Sequence, residues 1–442
     1  MSTLLTPTTG VVPGESDEQR RRRLRTVVAA SLLGTTIEWY DFFLYATAAS
    51  LVFDKVFFPD QSSYVGTLLS FATFAVGFVL RPIGGVVFGH IGDRIGRKRT
   101  LALTMLLMGV ATALMGALPT AAQIGIAAPI LLLVLRILQG FALGGEWAGA
   151  VLLAVEHSPQ RRRGLFGSIP QIGLALGLAL GTGIFAILQV AFDDAGFLAY
   201  GWRIAFGVSI VLVIVGFVVR LKVEETPAFV EVDTLAQKSS APLRDVVLPP
   251  HTRHTILGLL ARWAEGSAFN TWGVFAIAYA TRQLDLPKVP VLVAVSIASV
   301  VMALLLPVSG ALTDRYGAKR IYLAGITAYA VLIYPVFALF GTANLVWFTV
   351  GLVAVFGVVH ALFYGAQGTL FAGLYPTPVR YTGLSVVYQF SGIYASGLTP
   401  LILTALIGAS HGSPWLAAGY LVVTALISIV ATCLIRQRDL YL

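Results

Sequence analysis

Apolar residues run along this chain in blocks of roughly 20, separated by short polar punctuation, instead of alternating with polar residues as on a half-buried helix or strand. The blocks lie near 26–50, 64–89, 101–119, 123–155, 164–190, 203–220, 255–281, 289–313, 321–341, 345–374, 382–408 and 414–435. Each is long enough for a helix to cross about 30 Å of hydrocarbon. Inside a bilayer the backbone must satisfy its own hydrogen bonds, so the pattern predicts an all-α polytopic membrane protein of about twelve transmembrane helices.

The sizeable polar interval after the N-terminal tail is 221–254, which carries Pro227, Pro242, Pro249 and Pro250 and divides six spans from six. The expected organisation is a cytoplasmic tail (1–25), a six-helix bundle (26–220), a cytoplasmic central loop (221–254), a second six-helix bundle (255–436) and a short cytoplasmic tail (437–442).

Composition agrees: 57% of residues are hydrophobic and 12% charged, against about a quarter charged in ordinary soluble domains. The basic residues set the orientation. Of 30 Lys and Arg, 23 fall in the tails and loops of one side, which the positive-inside rule makes cytoplasmic. Both termini are therefore expected in the cytoplasm and the chain in the plasma (inner) membrane. The same rule accounts for the net charge of +9, so nucleic-acid binding is not implied. Arg20 to Arg23 before an apolar run resemble a signal peptide, but the run is too long and is interrupted by Glu38 and Asp41. The single cysteine, Cys433, excludes an intramolecular disulfide and a CxxC metal site. No metal or organic cofactor is expected.

The two halves share punctuation. GHIGDRIGRKR follows the second span and GALTDRYGAKR the eighth, giving Gly-x3-Asp-Arg-x-Gly-x-Lys-Arg twice, with Asp314 lying 221 residues after Asp93. EHSPQRRRG leaves the fourth span and GLYPTPVRYTG the tenth, with Pro159 and Arg163 matched 217 residues later by Pro376 and Arg380. Two motif pairs at nearly one offset predict a duplicated six-helix unit. Glycines allow tight reversal and close helix approach, and the aspartate can accept from helix N-termini or an arginine. The residues singled out in these loops are Gly89, Asp93, Arg94, Gly96, Arg97, Glu156, Arg163, Asp314, Arg315 and Arg380.

At these motifs the chain resembles the major facilitator superfamily, whose signature loop joins spans two and three, and the resemblance covers essentially the whole chain. EWYDFFLY, FATFAVGFVLRPIGGVVFGHIGDRIGRKR and RILQGFALGGEWAGAVLLAVE resemble, more narrowly, the metabolite:proton symporter family, the shikimate transporters above all. The resemblance implies proton-driven uptake by rocking two bundles about a central site, one complete pathway per chain and hence a monomer. Two departures stand out. The acidic residue three before the proline is Glu156 in the first half but Gly373 in the second, and residues 436–442 offer no long heptad-bearing tail like that of some betaine carriers.

The intramembrane polar residues are the candidate chemistry, because an ionisable group in hydrocarbon survives by facing a partner or a wet cavity. Glu38, Asp41 and Tyr45 stand at i, i+3 and i+7 on one face of the first span, expected to look into the bundle. Acids held there can couple to protons, since burial and nearby cations act oppositely on a carboxyl. Arg136, Gln139, Glu146 and Trp147 form one stripe on the fourth span, and the resemblance places Arg136 near the proton pathway. Proton coupling is thus assigned to Glu38, Asp41, Arg136 and Glu146.

Substrate contacts are assigned to Arg81, whose planar guanidinium suits a carboxylate, and to Tyr45, Gln139, Trp147, Gln171, Arg262, Glu265, Asn270, Gln367, Tyr388 and Gln389. Arg262 and Glu265 are expected to pair, and His360 repeats with Tyr364 and Gln367 at helical spacing. Trp263 and Trp272 are further candidates for the wall of the site. Gly173, Gly177 and Gly181 on the fifth span read as a packing seam.

The expected function is a proton-coupled symporter importing a small organic acid, shikimate-like or dicarboxylate. A betaine or proline carrier, an exporter and a uniporter of the same fold remain open at this point. HExxH, GxSxG and P-loop motifs are absent from the sequence, which argues against a membrane enzyme.

Overall fold

A computed structural model of the chain describes residues 17–441 except 96, 146, 157 and 223–241; the side chains of 17–31, most of 89–101 and several near 145–160 and 219–242 also lie outside the description. The first span is Asp17–Leu51, the second Ser63–Val79 continued by Arg81–Ile95, and the third Arg97–Ala117. The fourth is Ala127–Ala142, a tight turn at Leu143–Gly145, then Trp147–Glu156. The fifth is Arg163–Ala191 and the sixth Trp202–Lys222.

In the second half the seventh span is broken: Thr252–Ala261, Trp263–Asn270, a wide π-type turn Thr271–Phe275, and Ala276–Arg282. The eighth is Lys288–Tyr316, the ninth Ala318–Phe340 and the twelfth Trp415–Leu434. The tenth (Leu345–Leu352, Val353–His360, Ala361–Ala372) and eleventh (Thr377–Ser391, Gly392–Gly397, Thr399–Ala409) each carry a π-type segment in the middle.

Eight helical runs among the described residues are long and apolar enough to cross a membrane. Among the described residues the third and fourth spans contribute the shorter apolar stretches Ala102–Ala117 and Ala127–Ala142, the first carries Glu38 and Asp41, and the seventh is broken around Arg262. The molecule is apolar outside: Ile187, Val190, Leu304 and Val331 face outward largely exposed, as lipid-facing residues must. Polarity is inside, where Asp41, Arg136, Gln139, Gln171, His360 and Gln367 are fully buried.

The halves meet through pairs that repeat under a shift of six spans. The fifth packs on the eighth and the eleventh on the second; the fourth touches the eleventh and the tenth touches the fifth. Contacts of this kind are what a duplicated unit folded about a pseudo-twofold axis produces.

Within the first half the fifth span lies hard against the first. A Cβ on Gly177 would stand 2.7 Å from the backbone nitrogen of Tyr40, and one on Gly173 would stand 2.8 Å from Thr35. At Gly181 the nearest atom is 3.4 Å away, so the predicted seam loosens along its length.

Both ends of the interface are shut. At the end away from the termini, Arg282 of the seventh span pairs with Asp54 at 2.6 Å and donates to the Ser50 carbonyl at 3.0 and 3.2 Å and to Ser63 Oγ at 2.8 Å. Lys288 and Asp194 pair across the same face at 2.7 Å. At the terminal end the Asp314 carboxylate accepts from the backbone N–H groups of Gly164 (2.6 Å) and Leu165 (2.9 Å), the exposed donors at the start of the fifth span. The repeated motif's aspartate thus clamps the opposite half.

Two outcomes follow. Gly177→Leu should lower thermal stability in detergent by an overpacking cost of about 1–3 kcal/mol, while Gly183→Leu, where a Cβ meets nothing within 4 Å, should leave the melting curve unchanged. In a Ser50→Cys background with Cys433 replaced by serine, Arg282→Ala should speed modification by a membrane-impermeant maleimide roughly tenfold, the factor expected for losing about 1.4 kcal/mol of closure; unaltered labelling would show that this ion pair does not hold the gate.

Candidate functional site

Between the halves lies a cavity of about 20 Å³, lined by Arg81, Arg262, Glu265, Asn270 and Tyr388 and walled by rings that include Trp39, Phe42, Phe43, Phe78 and Phe269. It holds about one ordered water, so an organic substrate requires the halves to part. The lining comes from the first, second, fifth, seventh and eleventh spans, and the breaks in the second and seventh matter. Arg81 opens the second piece of its span directly after Leu80, and Arg262 is the junction residue between two pieces of the seventh. Discontinuous helices supply polar groups at mid-membrane without leaving backbone exposed to lipid.

Arg81 is buried beside three rings, its guanidinium carbon 4.4 Å from the Phe78 centroid, 4.5 Å from Phe42 and 5.5 Å from Trp39. Aromatic faces offset part of the cost of holding a cation away from water. Its Nε and Nη2 are nevertheless buried without a hydrogen-bond partner. Glu38, Tyr388 and Arg262 lie close enough for their charges to act on it. A position near the terminal end allowed Arg81 to snorkel to the surface; at 4% exposure it does not.

Arg262 is committed. It pairs with Glu265 at 3.0 Å, a contact that lacks hydrogen-bond alignment, and donates through Nη1 to Ser391 Oγ (2.8 Å) and the Tyr388 carbonyl (3.2 Å). Its guanidinium also covers the Tyr388 ring at 3.8 Å. On the far side of Glu265, His360 Nε2 stands 3.9 Å from Oε1, with the imidazole stacked between Phe356 and Tyr364. Asn270 donates Nδ2 to the Gly266 carbonyl at 3.1 Å, which fixes the amide's orientation and leaves Oδ1 buried and unpartnered.

A second polar cluster sits behind the cavity, within the first bundle. Asp41 accepts a very short hydrogen bond from Ser209 of the sixth span, and its Oδ2 has no partner that meets hydrogen-bond geometry. Thr112 of the third span is also within its reach. Gln139 donates to Thr112 Oγ at 2.8 Å and to the Asp41 carbonyl at 3.4 Å, and accepts from Arg136. Arg136 lies over Tyr45 (4.1 Å), Phe42 (4.6 Å) and Phe74 (4.9 Å). Among the described residues no basic side chain pairs with Asp41 and no carboxylate pairs with Arg136.

The expected residues therefore separate. Arg81, Arg262, Glu265, Asn270 and Tyr388 line the cavity. Tyr45 and Gln139 do not: Tyr45 donates to Thr73 at 2.7 Å, and Gln139 belongs to the Asp41 cluster. Gln389 donates to the Gly144 carbonyl across the interface at 2.6 Å, while Gln171 and Gln367 are buried away from the lining.

The single polar face proposed for Glu38, Asp41 and Tyr45 divides in the same way, because residues three apart differ by about 60° around a helix: Glu38 acts on Arg81 while Asp41 turns into the bundle. Trp272 packs on Phe337 and Phe340, and Trp263 on Tyr394, away from the cavity. Arg380 donates to the Tyr375 carbonyl at 3.0 Å, the Arg163 carbonyl accepts from Thr369 at 3.4 Å, and Arg315 lies over Tyr316 at 5.2 Å. Glu146 and the side chains of Gly89, Asp93, Arg94, Gly96, Arg97, Trp147 and Glu156 lie outside the described residues.

Residues that the pattern did not single out are Ser209 and Thr112, and the rings Phe42, Phe43, Phe78 and Phe269. A lone serine or threonine on an apolar helix carries no periodic signal. The aromatic crowding of EWYDFF beside two acids did carry one.

Comparison with known proteins agrees with this geometry. Residues 26–253 match the family described as "Sugar (and other) transporter", and residues 263–440 match "Major Facilitator Superfamily". The shikimate transporter of Escherichia coli K12 is 38% identical, covering 94% of this chain and 95% of its own. The inner membrane metabolite transport protein YhjE of the same organism is 40% identical, covering 85% and 86%. A proline/betaine transporter of that strain is 33% identical over 94% of this chain and 84% of its own. A D-xylose–proton symporter structure superposes with a TM-score of 0.73 at 17% identity, covering 92% of this chain and 97% of that one, which speaks to the fold alone. The chain is a member of the major facilitator superfamily, a family of transporters and not of enzymes, and stands in it beside shikimate and metabolite transporters.

Proposed function

We propose that the protein is a proton-coupled symporter that takes up a small organic acid across the plasma (inner) membrane by alternating access, as a monomer with both termini cytoplasmic and the proton as its coupling ion. The observation that carries this reading is the placement of two chemistries on the first span: Glu38 beside the cavity arginine Arg81, and Asp41 one turn away in a sealed cluster without a cationic partner. Arg81 offers a carboxylate two buried N–H donors that have nothing else to bind.

Asp41 suits the proton. The single hydrogen of Thr112 goes to the Met108 carbonyl at 2.9 Å, so its oxygen meets Asp41 only as an acceptor. A protonated Asp41 supplies the missing hydrogen; an ionised one faces an oxygen lone pair. Phe42, the residue after Asp41, touches the guanidinium of Arg81 and that of Arg136. Moving this span as substrate draws on Arg81 therefore disturbs the cluster that holds the proton.

The proline/betaine relatives favour a second reading, osmolyte uptake by the same machinery.

In proteoliposomes, Asp41→Asn should abolish accumulation driven by an inward proton gradient while substrate-for-substrate exchange continues. Gradient-driven accumulation at the wild-type level would remove Asp41 from the mechanism. Arg81→Ala should weaken substrate binding about 10- to 100-fold, as expected for a charge-assisted hydrogen-bonded contact of roughly 1.5–3 kcal/mol, and should slow exchange and accumulation together.

A further inference from the structure

The charges and hydrogen-bond valences around the cavity are restrictive enough to choose among acid classes. Resting on the reading of this cavity as the substrate site, we propose that it takes a hydroxylated monocarboxylate with an uncharged body, and rejects dicarboxylates and quaternary-ammonium zwitterions.

Among the described residues three charged groups line the space, Arg81, Arg262 and Glu265, and Glu38 acts on Arg81 from beside it, so that the four formal charges sum to zero. Arg262 is neutralised by Glu265 at 3.0 Å and spends Nη1 on Ser391 and the Tyr388 carbonyl. Arg81 alone presents two unpartnered donors on one guanidinium, Nε and Nη2. That edge matches one carboxylate in fork geometry. Arg136 provides no second anion site, since it lies behind Phe42 and Tyr45 and does not line the cavity. One carboxylate entering with one proton leaves the site neutral, whereas a second would be buried without a counter-charge.

A quaternary ammonium needs open aromatic faces. Here they are taken: Trp39, Phe42 and Phe78 solvate Arg81, Tyr388 is covered by Arg262, Phe43 lies between Trp39 (5.4 Å) and Phe269 (5.1 Å), and Phe269 packs on Phe356 at 5.3 Å. Asn270 supplies the remaining preference. Its Nδ2 is bound to the Gly266 carbonyl, so the group it offers the cavity is the acceptor Oδ1. The complement of a buried acceptor is a donor, and an uncharged substrate body supplies one as a hydroxyl. Phe43 and Phe269, which face each other across the two halves at 5.1 Å, offer apolar surface to the rest of the molecule.

The test is calorimetric titration of the purified wild-type protein in detergent with four probes: shikimate, cyclohexene-1-carboxylate, succinate and glycine betaine. Shikimate should bind, cyclohexene-1-carboxylate about tenfold more weakly because none of its ring positions carries a hydroxyl to donate to Asn270 Oδ1, and the dianion and the zwitterion at least 100-fold more weakly. Asn270→Ala should bring the ratio between the first two ligands close to one while cyclohexene-1-carboxylate keeps its affinity. Succinate or betaine binding as tightly as shikimate, a deoxy acid binding as tightly as the hydroxylated one, or no binding by either monocarboxylate would overturn the proposal. The expected ranking without proton-driven accumulation in proteoliposomes would sink the symport reading and leave this one standing.

Discussion

The structure depends on how guanidinium groups are kept in a medium that does not solvate them. A cation in hydrocarbon costs several kcal/mol unless something replaces water, and this protein uses two replacements. Arg262 has a carboxylate and two hydrogen-bond acceptors. Arg81 and Arg136 have aromatic rings, sharing Phe42 at 4.5 and 4.6 Å. Rings offset charge without consuming N–H donors. That is why Arg81 can be buried and still keep two donors, Nε and Nη2, where Arg262, held by a carboxylate, keeps Nε alone.

The same constraint gives the first span its importance. It is held against the fifth by glycine contacts close enough that a Cβ on Gly177 would strike the backbone at Tyr40, so the segment from Glu38 to Phe43 sits on a hard surface. From that surface it sends Glu38 and Phe42 toward Arg81, Asp41 toward Ser209, and Phe43 across to Phe269 in the other half. Contacts to the cavity arginine, to the buried cluster and to the partner bundle thus come from residues within two turns of one helix. The wide turns at Thr271–Phe275, Val353–His360 and Gly392–Gly397 place backbone irregularity in the opposite half, where π-type turns often accompany function. One wall of the cavity is firm and the other is the less regular.

The spans and the duplication were legible because lipid imposes a one-dimensional rule: a block of about 20 apolar residues crosses, and a charged loop does not. Arg81, Arg262, Glu265 and Asn270 were legible for the converse reason, since polar residues are conspicuous in such blocks. What sequence spacing could not settle was depth around the helix. Glu38 and Asp41 share a face by the i, i+3 rule, yet about 60° of rotation suffices to set one beside Arg81 and the other into the bundle. Gln139 was misplaced for a related reason. Its stripe on the fourth span faces the interior, and in a six-helix bundle the interior includes both a substrate cleft and a packed polar core. Ser209 and Thr112 are common residues in apolar helices, and only the arrival of Asp41 between them gives them a role.

The closed state also explains why the two ends of the interface differ chemically. At the terminal end the clamp is Asp314 on two backbone N–H groups, a contact whose donors exist wherever a helix begins. At the other end it is Asp54 with Arg282, supported by the Ser50 carbonyl and Ser63. Neither clamp touches the cavity, so neither reads the ligand directly. A ligand can favour one opening over the other only through its differential hold on the two arrangements of the halves. The groups placed to provide that difference are those at the seam's centre, where Arg81 on one bundle and Asn270 on the other line one cavity.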